Sequence, residues 1–77
     1  MDVRIGIVQT VKELEVDLAE EADRDAVLAD IDAALSGDSV LWLTDKKGRR
    51  VGIPAAKIAW VEVGAPDKDR RVVFGAP

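Results

Sequence analysis

Residues 40–54 have the sequence VLWLTDKKGRRVGIP, and this stretch contains a complete β-hairpin signal that decides the fold. Asp45 suits the opening position of a type I turn, and Gly48 supplies the left-handed residue of a G1 bulge that closes a three-residue loop. Because loop length fixes strand register, the stretch predicts which residues lie opposite one another. The predicted pairs are Asp45 with Arg49, Thr44 with Arg50, Leu43 with Val51, Trp42 with Gly52, and Leu41 with Ile53.

This register divides the hairpin into two faces, because side chains alternate along a strand. The predicted core side consists of Leu41, Leu43, Val51 and Ile53. The opposite face consists of Trp42, Thr44, Arg50 and Gly52. Pro54 has no N–H donor, so the second strand is expected to end there or to lie at an edge.

Two segments near the N-terminus show the period-two alternation of half-buried strands. Apolar residues alternate with other types over residues 3–7 and 14–18, and the segment between them is expected to form a hairpin turn. The outer face of the second strand would carry Glu13, Glu15 and Asp17, for which exposure to solvent is the ordinary state.

The pattern changes to a helical one over residues 24–36. The apolar stripe of this helix comprises Val27, Leu28, Ile31, Ala34 and Leu35. Asp30 lies off the stripe, near its edge. Asp23 is the predicted N-cap, and Asp25 suits the positive end of the helix dipole. Gly37 is predicted to adopt the left-handed conformation that ends the helix.

After Pro54 we predict a short turn at 55–57, a strand at 58–63, a loop at 64–69, a last short strand or ordered tail at 70–74, and fraying at 75–77. The order is ββαβββ, and short connections favour antiparallel neighbours. We therefore predict one small α+β domain over residues 1–77, with a mostly antiparallel sheet and one helix packed on one face. A β-grasp-like arrangement fits by analogy, because it also begins with a hairpin followed by a helix.

The charge of the chain is unevenly distributed. Residues 1–38 contain 11 acidic and 3 basic side chains, whereas residues 39–77 contain 4 acidic and 8 basic ones. The net charge is −4. Such an asymmetry indicates that one part of the fold contacts something negative.

The composition disfavours an enzyme, because the chain has no His, Cys or Tyr to supply nucleophiles or general bases. We expect no catalytic residue, no metal site and no cofactor. No glycine-rich phosphate loop precedes the helix, and the carboxylates at its predicted start would repel a phosphate. No apolar run is long enough to span a membrane, and no signal-peptide pattern begins the chain, so a cytoplasmic location is expected.

Lys46, Lys47, Arg49 and Arg50 cluster at the predicted hairpin tip and are candidate binding residues. One interpretation is a tip kept soluble by exposed charge. The other is a loop that contacts an anion, either a phosphate backbone or an acidic protein surface. The overall acidity of the chain disfavours non-specific binding to nucleic acid.

Trp42 and Trp60 are the other candidate binding residues. Trp42 points away from the predicted core side, and Gly52 opposite it leaves room for the indole to lie across the neighbouring strand. The sequence alone does not assign Trp60 to the inner or the outer face of the sheet, because both faces of its strand are apolar. If both tryptophans lie on the open face of the sheet, they form a patch with Arg4 and Arg50, residue types that favour interfaces. Alternatively, the C-terminal strand covers them.

Four stretches also resemble a family of small actinobacterial proteins known only as a domain of unknown function. They are VRIGI at 3–7, LTDKKGRRV at 43–51, IPAAKIA at 53–59 and RVVFG at 71–75. The resemblance covers nearly the whole chain and is most specific over residues 44–63. It implies a stand-alone cytoplasmic domain of an actinobacterium, and some members look to carry an ATP-binding label. It implies no catalytic residues.

We therefore expect a non-enzymatic interaction domain that binds a protein partner, or a second copy of itself, through its open sheet face and basic hairpin tip. The alternative is a nucleic-acid-associated accessory factor that uses the same tip together with Arg70 and Arg71. Nucleotide binding is a minor alternative.

Overall fold

The computed structural model describes residues 1–64 and 72–75. The described elements are β1 (Asp2–Ile7), β2 (Glu13–Asp17), α1 (Arg24–Ser36), β3 (Val40–Thr44), β4 (Arg50–Pro54), a 3-10 turn (Ala55–Lys57), β5 (Ile58–Val63) and β6 (Val72–Phe74). This is the predicted order ββαβββ, and the α+β class is confirmed. Residues 65–69 of the loop predicted at 64–69, together with Arg70, Arg71 and the terminal residues 76–77, lie outside the described residues.

The described strands are all antiparallel, but they form two sheets where the sequence predicts one. The larger sheet has the order β2-β1-β5-β6, and β3 pairs only with β4. The expectation that neighbours in sequence pair with one another is wrong for β4 and β5. Pro54 ends β4, and the 3-10 turn at Ala55–Lys57 redirects the chain so that β5 pairs with β1.

The β3–β4 hairpin has the predicted register. Leu41 lies opposite Ile53, Leu43 opposite Val51, and Trp42 opposite Gly52. The predicted core residues of this hairpin are buried except Val51, which is partly buried and packs against the core. Local turn chemistry thus determines the geometry of this hairpin.

The core lies between the inner faces of the two sheets and one face of α1. Its buried apolar residues are Val3, Ile5, Val16, Leu18, Ile31, Ala34, Leu41, Leu43, Ile53, Val61 and Val63. Because side chains alternate along a strand, residues between these core positions point to the outer faces of the two sheets.

The helix has the predicted start and the predicted length. The Asp23 carboxylate Oδ1 accepts hydrogen bonds from the backbone N–H groups of Asp25, at 3.0 Å, and Ala26, at 3.4 Å. No helix among the described residues is long and apolar enough to cross a membrane.

The prediction for the end of the helix is wrong by one residue. Gly37 has φ −93°, whereas Asp38 has φ 51° and is the left-handed residue. The Gly37 N–H still donates to the Ala33 carbonyl at 2.9 Å, so the helical ladder includes Gly37 and the chain reverses only after it. The Ser39 N–H then donates to the Ala34 carbonyl at 3.1 Å, which is the long-range bond of a Schellman ending.

We predict that Asp23→Ala destabilises the domain by about 1 kcal/mol, because it leaves two helix N–H groups without their acceptor. Asp32→Ala is the matched control, since it removes an exposed carboxylate from the same helix without removing a cap. Denaturant unfolding followed by circular dichroism measures both. Equal stability of the two variants would show that the cap contributes nothing.

Candidate binding surface on the hairpin

The hairpin tip is organised by the carboxylate of Asp45, which is only 8% exposed. Its Oδ1 accepts from the backbone N–H groups of Lys47, at 2.9 Å, and Arg49, at 2.8 Å. Its Oδ2 accepts from the Arg49 Nε–H at 2.9 Å. The Arg49 side-chain bond is the main reason that the pKa of Asp45 lies below its ordinary value, and the two backbone bonds act in the same direction. Gly48, with φ 85°, closes the turn in the predicted conformation.

The tip is also bound to the end of β2 by a backbone hydrogen bond and an ion pair. The Lys46 backbone N–H donates to the Asp17 carbonyl at 2.8 Å, and the Lys46 Nζ lies 2.9 Å from the Asp17 Oδ2. This hydrogen-bonded ion pair lowers the pKa of Asp17 and raises the pKa of Lys46. An antiparallel bridge between Leu18 and Asp45 continues the contact. The hairpin is therefore held to the larger sheet at its tip.

These contacts divide the predicted basic cluster into two kinds of residue. Lys46 and Arg49 bind carboxylates of the chain itself, although the Arg49 side chain remains 81% exposed. Lys47 and Arg50 form no ion pair with another described residue. The open cleft beside the tip, of about 170 Å³, also contains acidic side chains, namely Glu15, Asp17 and Asp45. The tip thus carries charges of both signs, and two of its cations form ion pairs within the chain, so it is not a uniform basic patch.

Trp42 is the most exposed aromatic side chain of the described residues, at 54%. Its indole lies across Gly52, and a Cβ placed there would lie 2.6 Å from the Trp42 Cζ3. The Arg50 guanidinium carbon stands 5.0 Å from the ring centroid, which is within cation–π range. The indole thus lies against Gly52 and within cation–π distance of Arg50 on the outer face of the hairpin.

We define the hairpin face as the outer side of β3 and β4, which comprises Val40, Trp42, Thr44, Arg50, Gly52 and Pro54. A groove separates this face from α1. It consists of two depressions, of about 320 Å³ and about 200 Å³, and both are lined by Asp30 and Trp42. Val40, 42% exposed, and Arg50 also line the larger one. The larger depression thus combines the apolar side chains of Val40 and Trp42 with the charged side chains of Asp30 and Arg50.

Trp60 lies on the outer face of the larger sheet, because the core takes the alternate residues Val61 and Val63. It is partly buried and lies against Gly6, its partner on β1. Arg4 is on the same face and donates to the Glu13 Oε2 at 3.0 Å. The two tryptophans therefore belong to different sheets, Trp42 to the hairpin with Arg50 and Trp60 to the four-stranded sheet with Arg4. The single open sheet face predicted to carry all four residues is thus divided between two sheets.

Three residues of this surface were missed at the level of sequence. Asp17 and Asp45 neutralise two cations of the predicted cluster, and Asp30 lines the groove beside Trp42. The signal for Asp45 was present, because an Asp that opens a turn commonly accepts from backbone N–H groups two or more residues later. The roles of Asp17 and Asp30 depend on contacts between distant segments, for which the sequence contains no local signal.

No group of three or more Asp or Glu side chains that could hold a metal ion occurs within residues 1–64 and 72–75. Such sites need several oxygen ligands around one point. Asp17 instead binds Lys46, and Asp45 binds Arg49 and two backbone N–H groups.

The fold and surface define a small α+β domain with an exposed aromatic hairpin. A family model described as a protein of unknown function, DUF3107, matches residues 1–75, and the chain belongs to this family. The resemblance seen in the sequence is thereby confirmed at the level of the family. A comparison with curated proteins found no match.

We predict that acid destabilises the domain partly through Asp45. Its pKa is lowered in the folded state, so its contribution is complete above its ordinary value of 3.8 and is lost as the pH falls through the lower folded value. Asp45→Asn keeps an acceptor for the two N–H groups but loses the charge, so its stability should fall less steeply below pH 3.8. Urea unfolding at several pH values measures this, and an unchanged slope would contradict it.

We also predict that Gly52→Ala displaces the Trp42 indole, because the new methyl group occupies the space of the ring. The displaced ring should show a red-shifted fluorescence emission in a Trp60→Phe background, which leaves Trp42 as the sole tryptophan. Gly48→Asn is the control, because Asn tolerates the left-handed conformation at the tip and is remote from the ring. An emission maximum that does not move in the Gly52 variant would show that the indole is not held there.

Proposed function

We propose that this domain has no catalytic role of its own and binds a protein partner through the hairpin face. We also propose that it acts in the cytoplasm of an actinobacterium. The absence of cysteine suits a reducing compartment, and the family resemblance supports the source.

The observation that carries the proposal is the exposure of Trp42. Tryptophan and arginine are among the residue types enriched at interface hot spots, and here Arg50 lies over the Trp42 ring. Tryptophan has only two side-chain torsions, so it loses little conformational freedom on binding. Covering on the order of 100 Å² of its apolar surface would contribute about 2.5 kcal/mol to binding.

The surroundings of Trp42 also fit a protein partner. Val40 and Pro54, opposite each other and two positions along the strands from Trp42 and Gly52, add apolar surface on one side of Trp42. Arg50 and Asp30 add charge beside it. An apolar centre with a polar rim is the usual anatomy of a protein–protein interface.

The hairpin tip favours a protein over a nucleic acid. Lys46 and Arg49 bind Asp17 and Asp45, so a phosphate backbone approaching these cations would also meet two carboxylates. Affinity for nucleic acid depends on several cations that are available to phosphates. Lys47 and Arg50 remain available, and they would steer the approach of an acidic surface rather than supply most of the affinity.

The test is a pull-down from cytosol with the tagged wild-type chain, repeated after nuclease treatment. We expect the wild type to retain a protein, or untagged copies of itself, with and without nuclease. Trp42→Ala should reduce retention at least about tenfold, the effect of losing a hot-spot residue. Val11→Ala is the control, because Val11 is 99% exposed, lies in the β1–β2 connection and contributes nothing to the hairpin face.

Two results would overturn the proposal. Equal retention by wild type and Trp42→Ala would remove the hairpin face as the binding surface. Loss of the captured material after nuclease would instead indicate nucleic-acid association, and a steep fall in binding with salt would support that reading.

A further inference from the structure

The hairpin face and its groove carry charges of both signs, placed on either side of Trp42. Asp30 belongs to α1 and lines the groove on the helix side. Arg50 belongs to β4, and β3 lies between β4 and the helix. No ion pair between Asp30 and Arg50 exists in the described part of the chain, although both line the larger depression. Each charge is therefore available to a group outside the subunit.

We propose that the hairpin face binds a second copy of this chain in a two-fold symmetric dimer. In this dimer the two Trp42 indoles pack together, and Asp30 of each subunit pairs with Arg50 of the other. The inference rests on the proposed function, since it uses the same surface, and it adds the identity and orientation of the partner.

The symmetry follows from the arrangement of the charges. A self-complementary interface requires that residue i contacts residue j while j contacts i. A two-fold axis that lies in the interface, parallel to β3 and β4, exchanges the helix side and the β4 side of the face. Asp30 of one copy then lies over Arg50 of the other, and the contact occurs twice. An axis perpendicular to the strands would place Asp30 over Asp30.

A second copy fits this surface better than a partner of a single charge. An acidic partner would pair with Arg50 but would face Asp30, and a basic partner would have the reverse conflict. Like charges placed opposite each other in an interface oppose association. The same chain presents both charges in the required arrangement, together with a matching apolar centre at Val40, Trp42 and Pro54.

The first measurement is the sedimentation of the purified wild-type chain as its concentration is raised to about 1 mM, which detects a complex with a Kd of up to about 1 mM. We expect a dimer that dissociates on dilution. Asp30→Arg and Arg50→Asp should each weaken it about tenfold or more, because each variant creates two like-charge contacts in its own homodimer.

The decisive measurement mixes these two variants in equal amounts. In the mixed dimer both charge contacts join opposite signs again, one with the original charges and one with the charges exchanged. We expect association to return to near the wild-type level, as a one-to-one heterodimer that native mass spectrometry identifies. Restoration in the mixture requires contact between subunits, which a change within one subunit cannot imitate.

Asp32→Arg and Lys57→Asp are the matched controls. They reverse charge at exposed residues on the same helix and in the 3-10 turn that follows the hairpin, and neither residue lines the groove. Each should dimerise as the wild type does. Circular dichroism melts establish that every variant is folded, and Trp42→Ala should lose the dimer without any change of charge.

Three results would overturn the dimer: a wild-type chain that stays monomeric at about 1 mM, a mixture that fails to restore association, or a Trp42→Ala variant that dimerises normally. A monomeric chain that still retains a Trp42-dependent protein in the pull-down would overturn only the dimer. A chain that shows neither behaviour would overturn the proposed function as well.

Discussion

The buried carboxylate of Asp45 is the constraint on which the hairpin depends. It accepts from two backbone N–H groups and from the Arg49 side chain, and so fixes the loop that sets the register of β3 and β4. With this register Leu41 and Leu43 point into the core and Trp42 points out. A slip of one residue would exchange the two faces and bury the indole in place of leucine. The exposed aromatic surface is thus a consequence of turn chemistry.

Both tryptophans lie across a glycine on the neighbouring strand, but their exposure differs for a topological reason. Trp60 and Gly6 are on adjacent central strands of the four-stranded sheet, so further strands lie on both sides of them. Trp42 and Gly52 belong to a hairpin that has only these two strands. No third strand supplies side chains beside Trp42 on the outer face, and the groove along α1 remains open there. A residue type that normally favours burial is therefore available for contact.

The sequence predicted the features that depend on neighbours along the chain. The β3–β4 register follows from the residues between Asp45 and Gly48, and the helix start follows from Asp23. The pairing of β5 with β1 could not be predicted, because its paired residues are 51 to 60 positions apart, from Ile7 with Ile58 to Val3 with Val63. Pro54 indicates only where β4 ends. The same limit applied to Trp60, since its strand is apolar on both faces and only the pairing with β1 shows which face is inside.

The basic cluster shows the same limit at the level of the site. Four neighbouring cations suggested one positive patch, but Lys46 reaches Asp17 on β2, and Arg49 folds back onto Asp45. A count of charges along the chain includes these paired groups, whereas only unpaired groups contribute strongly to recognition. Arg50 forms no ion pair with a described residue. It lies beside the Trp42 ring and lines the same groove as Asp30.

The uneven distribution of charge along the chain therefore matters at two places in the fold, the hairpin tip and the groove beside Trp42. The ion pair between Asp17 and Lys46 joins the acidic first half to the basic second half within one subunit, which removes part of the asymmetry. Near Trp42, Asp30 from the acidic half and Arg50 from the basic half both line an open groove. They form no ion pair there. The net charge of −4 makes random encounters between copies repulsive. The proposed dimer would overcome this repulsion because the hairpin face offers apolar contact together with complementary charges.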